Sequence, residues 1–131
     1  MSLGAHVALE PQSAGTVLMV RPARFGFNPQ TAASNAFQRD FKTGEAQAAQ
    51  SAVLREFDAA AIVLEQAGVE VLVFSDSEEP HKPDAIFPNN WVSFHRDGTV
   101  ALYPLMAPNR RAERREEILE HVVRTGAFRV S

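Results

Sequence analysis

An α/β chain is written into this sequence by three features. Short β-branched runs alternate with amphipathic stretches of helical period, the alternation that builds sheets covered by helices. Residues 44–67 carry the clearest helical stripe, with Leu54, Phe57, Ala61 and Leu64 at three- and four-residue spacing. Asp97-Gly98 lies between two strand-like runs, which is a strong hairpin signal.

Residues 1–15 read as a leader and loose lead-in, mixed in character and punctuated by Pro11 and Gly15. Residues 16–20 (TVLMV) are β-branched and too short for a helix, so they predict a buried strand that stops at Arg21-Pro22. Phe25-Gly26-Phe27-Asn28-Pro29 has the composition of a turn. Two phenylalanines there suit either an aromatic edge over a pocket or a cover for the neighbouring core. Residues 30–43 are polar and Ala-rich, an ordered loop. Thr43 is placed to cap the long helix and Gly68 to end it. Residues 69–74 (VEVLVF) predict a second strand, and residues 75–82 an acidic connector. Residues 91–94 and 99–103 form the hairpin. After a two-proline turn a second helix is expected over residues 110–125, stopped by Gly126, with a last strand over residues 127–130.

Composition narrows the function. A chain of 131 residues suits one domain, and 45% hydrophobic content is ample for its core. A net charge of −3 offers nothing to nucleic acid or an anionic membrane. With no cysteine, the chain has no disulfide, no thiolate metal site and no cysteine nucleophile of its own. The N-terminus lacks a secretory pattern, no apolar run approaches the roughly 18 residues of a membrane span, and the expectation is a cytoplasmic protein. His6, His81, His95 and His121 show no ligand spacing, and there is no G-x-G-x-x-G, P-loop or G-x-S-x-G. Neither metal nor cofactor is expected.

Residues 83–91 (PDAIFPNNW) are the unusual stretch. Ile86, Phe87 and Trp91 are too greasy for a plain surface loop. Asp84, Asn89, Asn90 and two prolines are too polar and too poor in donors for a core strand. Such a mixture suits the wall of a small-molecule pocket. It equally suits a connection whose Asp and Asn side chains make local turn bonds. Arg110, Arg111, Arg114 and Arg115 are interleaved with Glu113, Glu116, Glu117 and Glu120, which by default makes a solvated helix face. Arg110 and Arg111 would sit at the start of that helix, against its dipole. A ligand carboxylate gripped by the arginine fork would account for them.

The run from Asp84 to Asn90, a hairpin, then Pro108-Asn109-Arg110-Arg111 with Glu113 soon after, resembles the guanidino-group-modifying superfamily of arginine deiminases, dimethylargininases and amidinotransferases. F-P-N-N-W and P-N-R-R are most similar to the branch of citrulline-utilisation or arginine-deiminase-related hydrolases. The resemblance implies a five-bladed α/β propeller, the pentein fold, of which residues 16–131 would form roughly the first two blades. It implies a small amino-acid substrate in a central channel. It places Asp84 on the substrate's α-amino group, Asn89 and Asn90 where dimethylargininases carry pocket acids, Arg110 on the α-carboxylate, and Phe25 and Phe27 in a lid. The family's histidine and cysteine, which carry out covalent hydrolysis, fall beyond the matching part. The chain is therefore expected to be a truncated portion, inactive alone, that forms oligomers or pairs with a missing second half. Asn89 and Asn90 in place of acids favour a neutral ureido group such as citrulline's over a guanidinium. A non-catalytic binding module of the same fold, an amidinotransferase and a plain interaction domain stay open.

Overall fold

The structure, a computed structural model, describes residues 11–32, 34 and 44–131. The expected Thr43 cap and most of the 30–43 loop lie outside the described residues. Among the described residues, two small sheets and two α-helices make up the α/β architecture. Strand β1 (Thr16–Arg21) pairs in parallel with β2 (Glu70–Ser75), in the register Val17 to Val71 and Val20 to Phe74. Helix α1 (Glu45–Gln66) is the crossover between them, as parallel pairing requires. Strands β3 (Val92–Phe94) and β4 (Val100–Leu102) form the antiparallel hairpin.

Helix α1 buries Phe57 and Ala61, the centre of the stripe expected for it, with Leu54 and Leu64 half-buried on either side. Its C-terminus closes through paired bonds: Gly68 N–H donates to the Glu65 carbonyl and Val69 N–H to the Leu64 carbonyl, both at 3.0 Å. That closure needs a left-handed residue, and Gly68 supplies it at φ 88°. Arg21, ending β1, grips Asp58 of α1 through Nε and Nη2, each at 2.9 Å.

The hairpin turns at Gly98, φ 90°. A Cβ there would stand 2.6 Å from the backbone N of Ser131, so the turn also makes room for the last residue, whose N–H donates to the Gly98 carbonyl at 2.9 Å. The expected strand over residues 127–130 is absent. Phe128 N–H folds back onto the Val122 carbonyl at 3.3 Å, and its ring packs against Phe94 with centroids 5.0 Å apart. Packing against the hairpin thus replaces pairing with it.

The second helix also departs from expectation. Residues 110–125 are not one helix but a 3₁₀ turn (Pro108–Glu113) and a short helix α2 (Glu116–Arg124), parted by extended backbone at Arg114 and Arg115. The cause is geometric. Glu113 and Ile118 are both buried, at 3% and 0% exposure, yet in one continuous helix they would point about 140° apart. The break lets both turn inward. Arg115 secures it, donating to the Ser75 carbonyl at 3.0 Å and to Glu117 at 2.6 Å. Arg110 and Arg111 consequently lie in the last turn of the 3₁₀ element, so no helix dipole opposes them.

The core joins both sheets: Val20, Ala85, Trp91, Val92, Leu105, Ile118 and Val122 cluster, with Leu18, Leu72, Phe74 and Phe128 packed against them. The connector before the 83–91 stretch is tied down by Lys82. Its Nζ meets Asp76 Oδ1 at 3.3 Å and donates to the Pro80 carbonyl at 2.9 Å, with the Lys82 and Asp76 side chains 2% and 1% exposed. No described helix is long and apolar enough to cross a membrane.

Two stability measurements check this packing. Ile118→Ala leaves a hole at the fully buried centre and is expected to destabilise by about 2–5 kcal/mol. Lys82→Ala strands the enclosed Asp76 carboxylate and is expected to cost about 3–5 kcal/mol. Urea unfolding of each variant beside the unmodified chain reads both, and a loss below about 1 kcal/mol in either overturns its assigned role.

Candidate substrate-binding site

Three segments distant in sequence meet at one buried polar cluster. The first is the loop of residues 25–32, which contributes Asn28. The second is the turn of residues 82–87, folded by Ala85 N–H to the Lys82 carbonyl and Phe87 N–H to the Asp84 carbonyl. The third is the 3₁₀ turn carrying Asn109, Arg110 and Glu113.

Asn28 is wholly buried. Its Nδ2 donates to Asp84 Oδ2 at 2.7 Å and to Asn109 Oδ1 at 3.2 Å, and its Oδ1 accepts from Asn109 Nδ2 at 2.8 Å and Gln30 N–H at 3.0 Å. Asp84 thus reaches across 56 residues of sequence rather than making a local turn bond. Its Oδ1 accepts no hydrogen bond among the described residues.

Arg110 faces Asp84, with Nε 3.7 Å from Oδ2, and the two side chains are 12% and 11% exposed. The same arginine is clamped by Glu113, Nε to Oε1 at 2.8 Å and Nη2 to Oε2 at 2.9 Å. Nη1 donates to Asn90 Oδ1 at 3.0 Å, and Nη2 also reaches the Asp84 carbonyl at 3.4 Å. Of the five guanidinium N–H groups, one on Nη1 has no partner among the described residues. The two-point grip expected of Arg110 on a ligand carboxylate is therefore already taken by Glu113.

Asp84, Asn90 and Arg110 are brought together. Asn89, one residue earlier, points elsewhere: it lines a largely apolar hollow of about 570 Å³ with Leu18, Val53, Phe57 and Ile86. Phe25 and Phe27 line a separate hollow of about 500 Å³ with Arg24, Gln50, Glu78 and His81. Asn28, Asn109 and Glu113 were not marked as site residues by sequence. The P-N-R-R motif holds Asn109 and runs up to Glu113, but nothing local reveals that Asn28 is buried. Among the described residues no group of three or more His, Asp or Glu is arranged to hold a metal.

Burial raises the Glu113 carboxyl above its ordinary value; Arg110's bonds oppose this, and nearby Asp84 and Asp76 reinforce it. Burial works to lower Arg110, and its hydrogen bonds to Glu113 together with the charges of Glu113 and Asp84 more than offset it, so the net shift is upward. The partners pull in opposite senses, the arginine favouring the charged pair and burial at the carboxylate disfavouring it. Arg110 is cationic at any working pH, so Glu113 is the member that titrates.

A family model described as N,N dimethylarginine dimethylhydrolase, eukaryotic, matches residues 21–130. The chain belongs to this family. Membership places it in the guanidino-modifying superfamily that the Asp84–Asn90 and Pro108–Arg111 motifs resemble, whose α/β architecture agrees with the mixed helices and small sheets described above. The dimethylarginine dimethylhydrolase family acts on small arginine derivatives. Neither the curated proteins nor the solved structures hold a match.

The Glu113 shift makes stability depend on pH. A carboxyl raised on folding contributes stability that is fully present below its unfolded pKa and lost as pH rises through the folded one. The stability of the unmodified chain relative to Glu113→Gln is therefore expected to fall as pH rises from the ordinary glutamate range upward. Urea titrations across that range measure it, and a flat difference overturns the assignment.

Proposed function

We propose that this chain supplies the amino-acid-binding side of a hydrolase site for guanidino or ureido amino acids. One observation carries the reading: a carboxylate and a guanidinium, both nearly buried, lie 3.7 Å apart, each with hydrogen-bonding capacity left over. Asp84 Oδ1 is free to accept from an α-ammonium, and the remaining Nη1 hydrogen of Arg110 is free to donate to an α-carboxylate. Family membership supports the guanidino part of that ligand class. The cysteine chemistry implied by the resemblance draws its nucleophile from outside these residues. On this reading the chain forms early blades of a propeller, and the rest of the propeller covers its unpaired strand edges.

Asn90 bears on which side chain the site prefers. Its Oδ1 is engaged by Arg110, while its Nδ2 has no partner among the described residues. The wholly uncommitted group is thus a donor, the carboxamide oxygen keeping one lone pair beside its bond from Arg110. A guanidinium has only donors to meet it, whereas a ureido carbonyl accepts. We infer a preference for citrulline-like over arginine-like ligands.

Isothermal titration with L-citrulline, L-arginine, N,N-dimethylarginine and L-ornithine tests both statements. Citrulline is expected to bind most tightly, and Asp84→Ala to weaken it at least about tenfold, in line with the loss of a charged hydrogen bond. Arginine binding above citrulline overturns the ureido preference. Silence toward all four overturns the site and favours an interaction domain.

A further inference from the structure

We propose that Glu113 is a positioning residue that holds Arg110 off Asp84, so that cation and anion stay separately available to the two ends of a zwitterionic ligand. The ligand part rests on the amino-acid-head assignment above; the displacement does not.

The distances define the arrangement. Arg110 Nε lies 2.8 Å from Glu113 Oε1 and 3.7 Å from Asp84 Oδ2. A single N–H serves one acceptor well, and Glu113 has it. Nη2 is committed to the other Glu113 oxygen at 2.9 Å. Asp84 cannot turn away from the arginine, because Asn28 holds its Oδ2 at 2.7 Å. The backbone of the 3₁₀ turn is fixed independently by Arg110 N–H to the Ala107 carbonyl at 3.0 Å. The guanidinium therefore sits between two carboxylates, and Glu113 decides on which side it rests.

Among the described residues the Glu113 side chain bonds to Arg110 and nothing else. The residue is 3% exposed. Enclosing a carboxylate is costly, and here it secures only the position of one arginine. Without it, the nearest carboxylate acceptor for Nε–H is Asp84 Oδ2. Closing that gap to an ordinary charged hydrogen bond of about 2.8 Å takes a small swing of a flexible side chain. The two opposite charges would then satisfy each other, and a ligand's ammonium would lose its partner along with its carboxylate's.

A crystal structure of Glu113→Gln tests the displacement. The guanidinium is expected within about 3.2 Å of Asp84; a guanidinium still at its present separation overturns the proposal. Glu113→Asp, which shortens the reach by one methylene, is the second variant should the glutamine chain not fold, with the same two outcomes. Titration with agmatine, arginine without its carboxylate, separates positioning from general loosening. Glu113→Gln is expected to weaken agmatine about tenfold, because Asp84 is then occupied by Arg110. In an Arg110→Gln background the same change is expected to alter binding less than about twofold, since no guanidinium remains to fall onto Asp84. Equal losses in both backgrounds overturn the proposal. Silence of the unmodified chain toward agmatine and citrulline overturns the ligand assignment, and the guanidinium's position in Glu113→Gln then decides the remainder.

Discussion

The buried carboxamide of Asn28 is the constraint on which this architecture turns. A wholly enclosed amide must find partners for both ends, because an unmade hydrogen bond in a dry interior costs about 1–3 kcal/mol. Asn28 finds them in three places: its own loop, the turn bearing Asp84 and the turn bearing Asn109. Those bonds hold together segments that no strand pairing links. The two sheets are small and separate, so the polar cluster, with the core around Trp91 and Ile118, fixes how the 82–90 stretch meets the 108–113 turn. Here the site is part of the scaffold rather than an addition to it.

The parts of the fold that were legible in the sequence are those decided by neighbours along the chain. The α1 stripe, its stop at Gly68 and the Asp97-Gly98 hairpin all rest on spacings of four residues or fewer, and each stands in the structure within a residue or two of its expected bounds. What was not legible was decided across the chain. The apolar pattern of Ile118, Leu119, Val122 and Val123 extends naturally back to Arg110 as one helix. Only the need to bury Glu113 beside Arg110, on a face that Ile118 cannot share, breaks it. The last strand fails for a similar reason: Phe128 gains more by packing on Phe94 than a short tail gains by pairing.

The site followed the same division. Asp84 stood out because a charged residue among prolines and apolar side chains needs a reason to be there, and Arg110 because a cation at the expected start of a helix opposes the dipole. Asn90 and Asn89 are adjacent and identical, and sequence alone gives no way to send them in different directions. The 3₁₀ turn at Pro88–Asn90 does so, putting Asn90 on Arg110 and Asn89 over the hollow beside α1. Asn28 was hidden by its setting, since an asparagine before proline is an ordinary sign of a turn.

Charge balance connects these details to ligand choice. When both carboxyls are ionised, Arg110 faces Asp84 and Glu113, one cation against two anions. An acid at position 90, 3.0 Å from Nη1, would ring the same guanidinium with three carboxylates. A ligand carboxylate approaching the last free N–H would then meet a surplus of like charge, and only a strongly cationic side chain elsewhere on the ligand would compensate. With a carboxamide at 90 the surplus stays at one negative charge. A zwitterionic head adds no net charge, so the remainder of the ligand need not be cationic to be accepted. On this reading the asparagine does two things at once: it turns a donor toward the ligand, and it keeps the arginine able to hold a carboxylate at all.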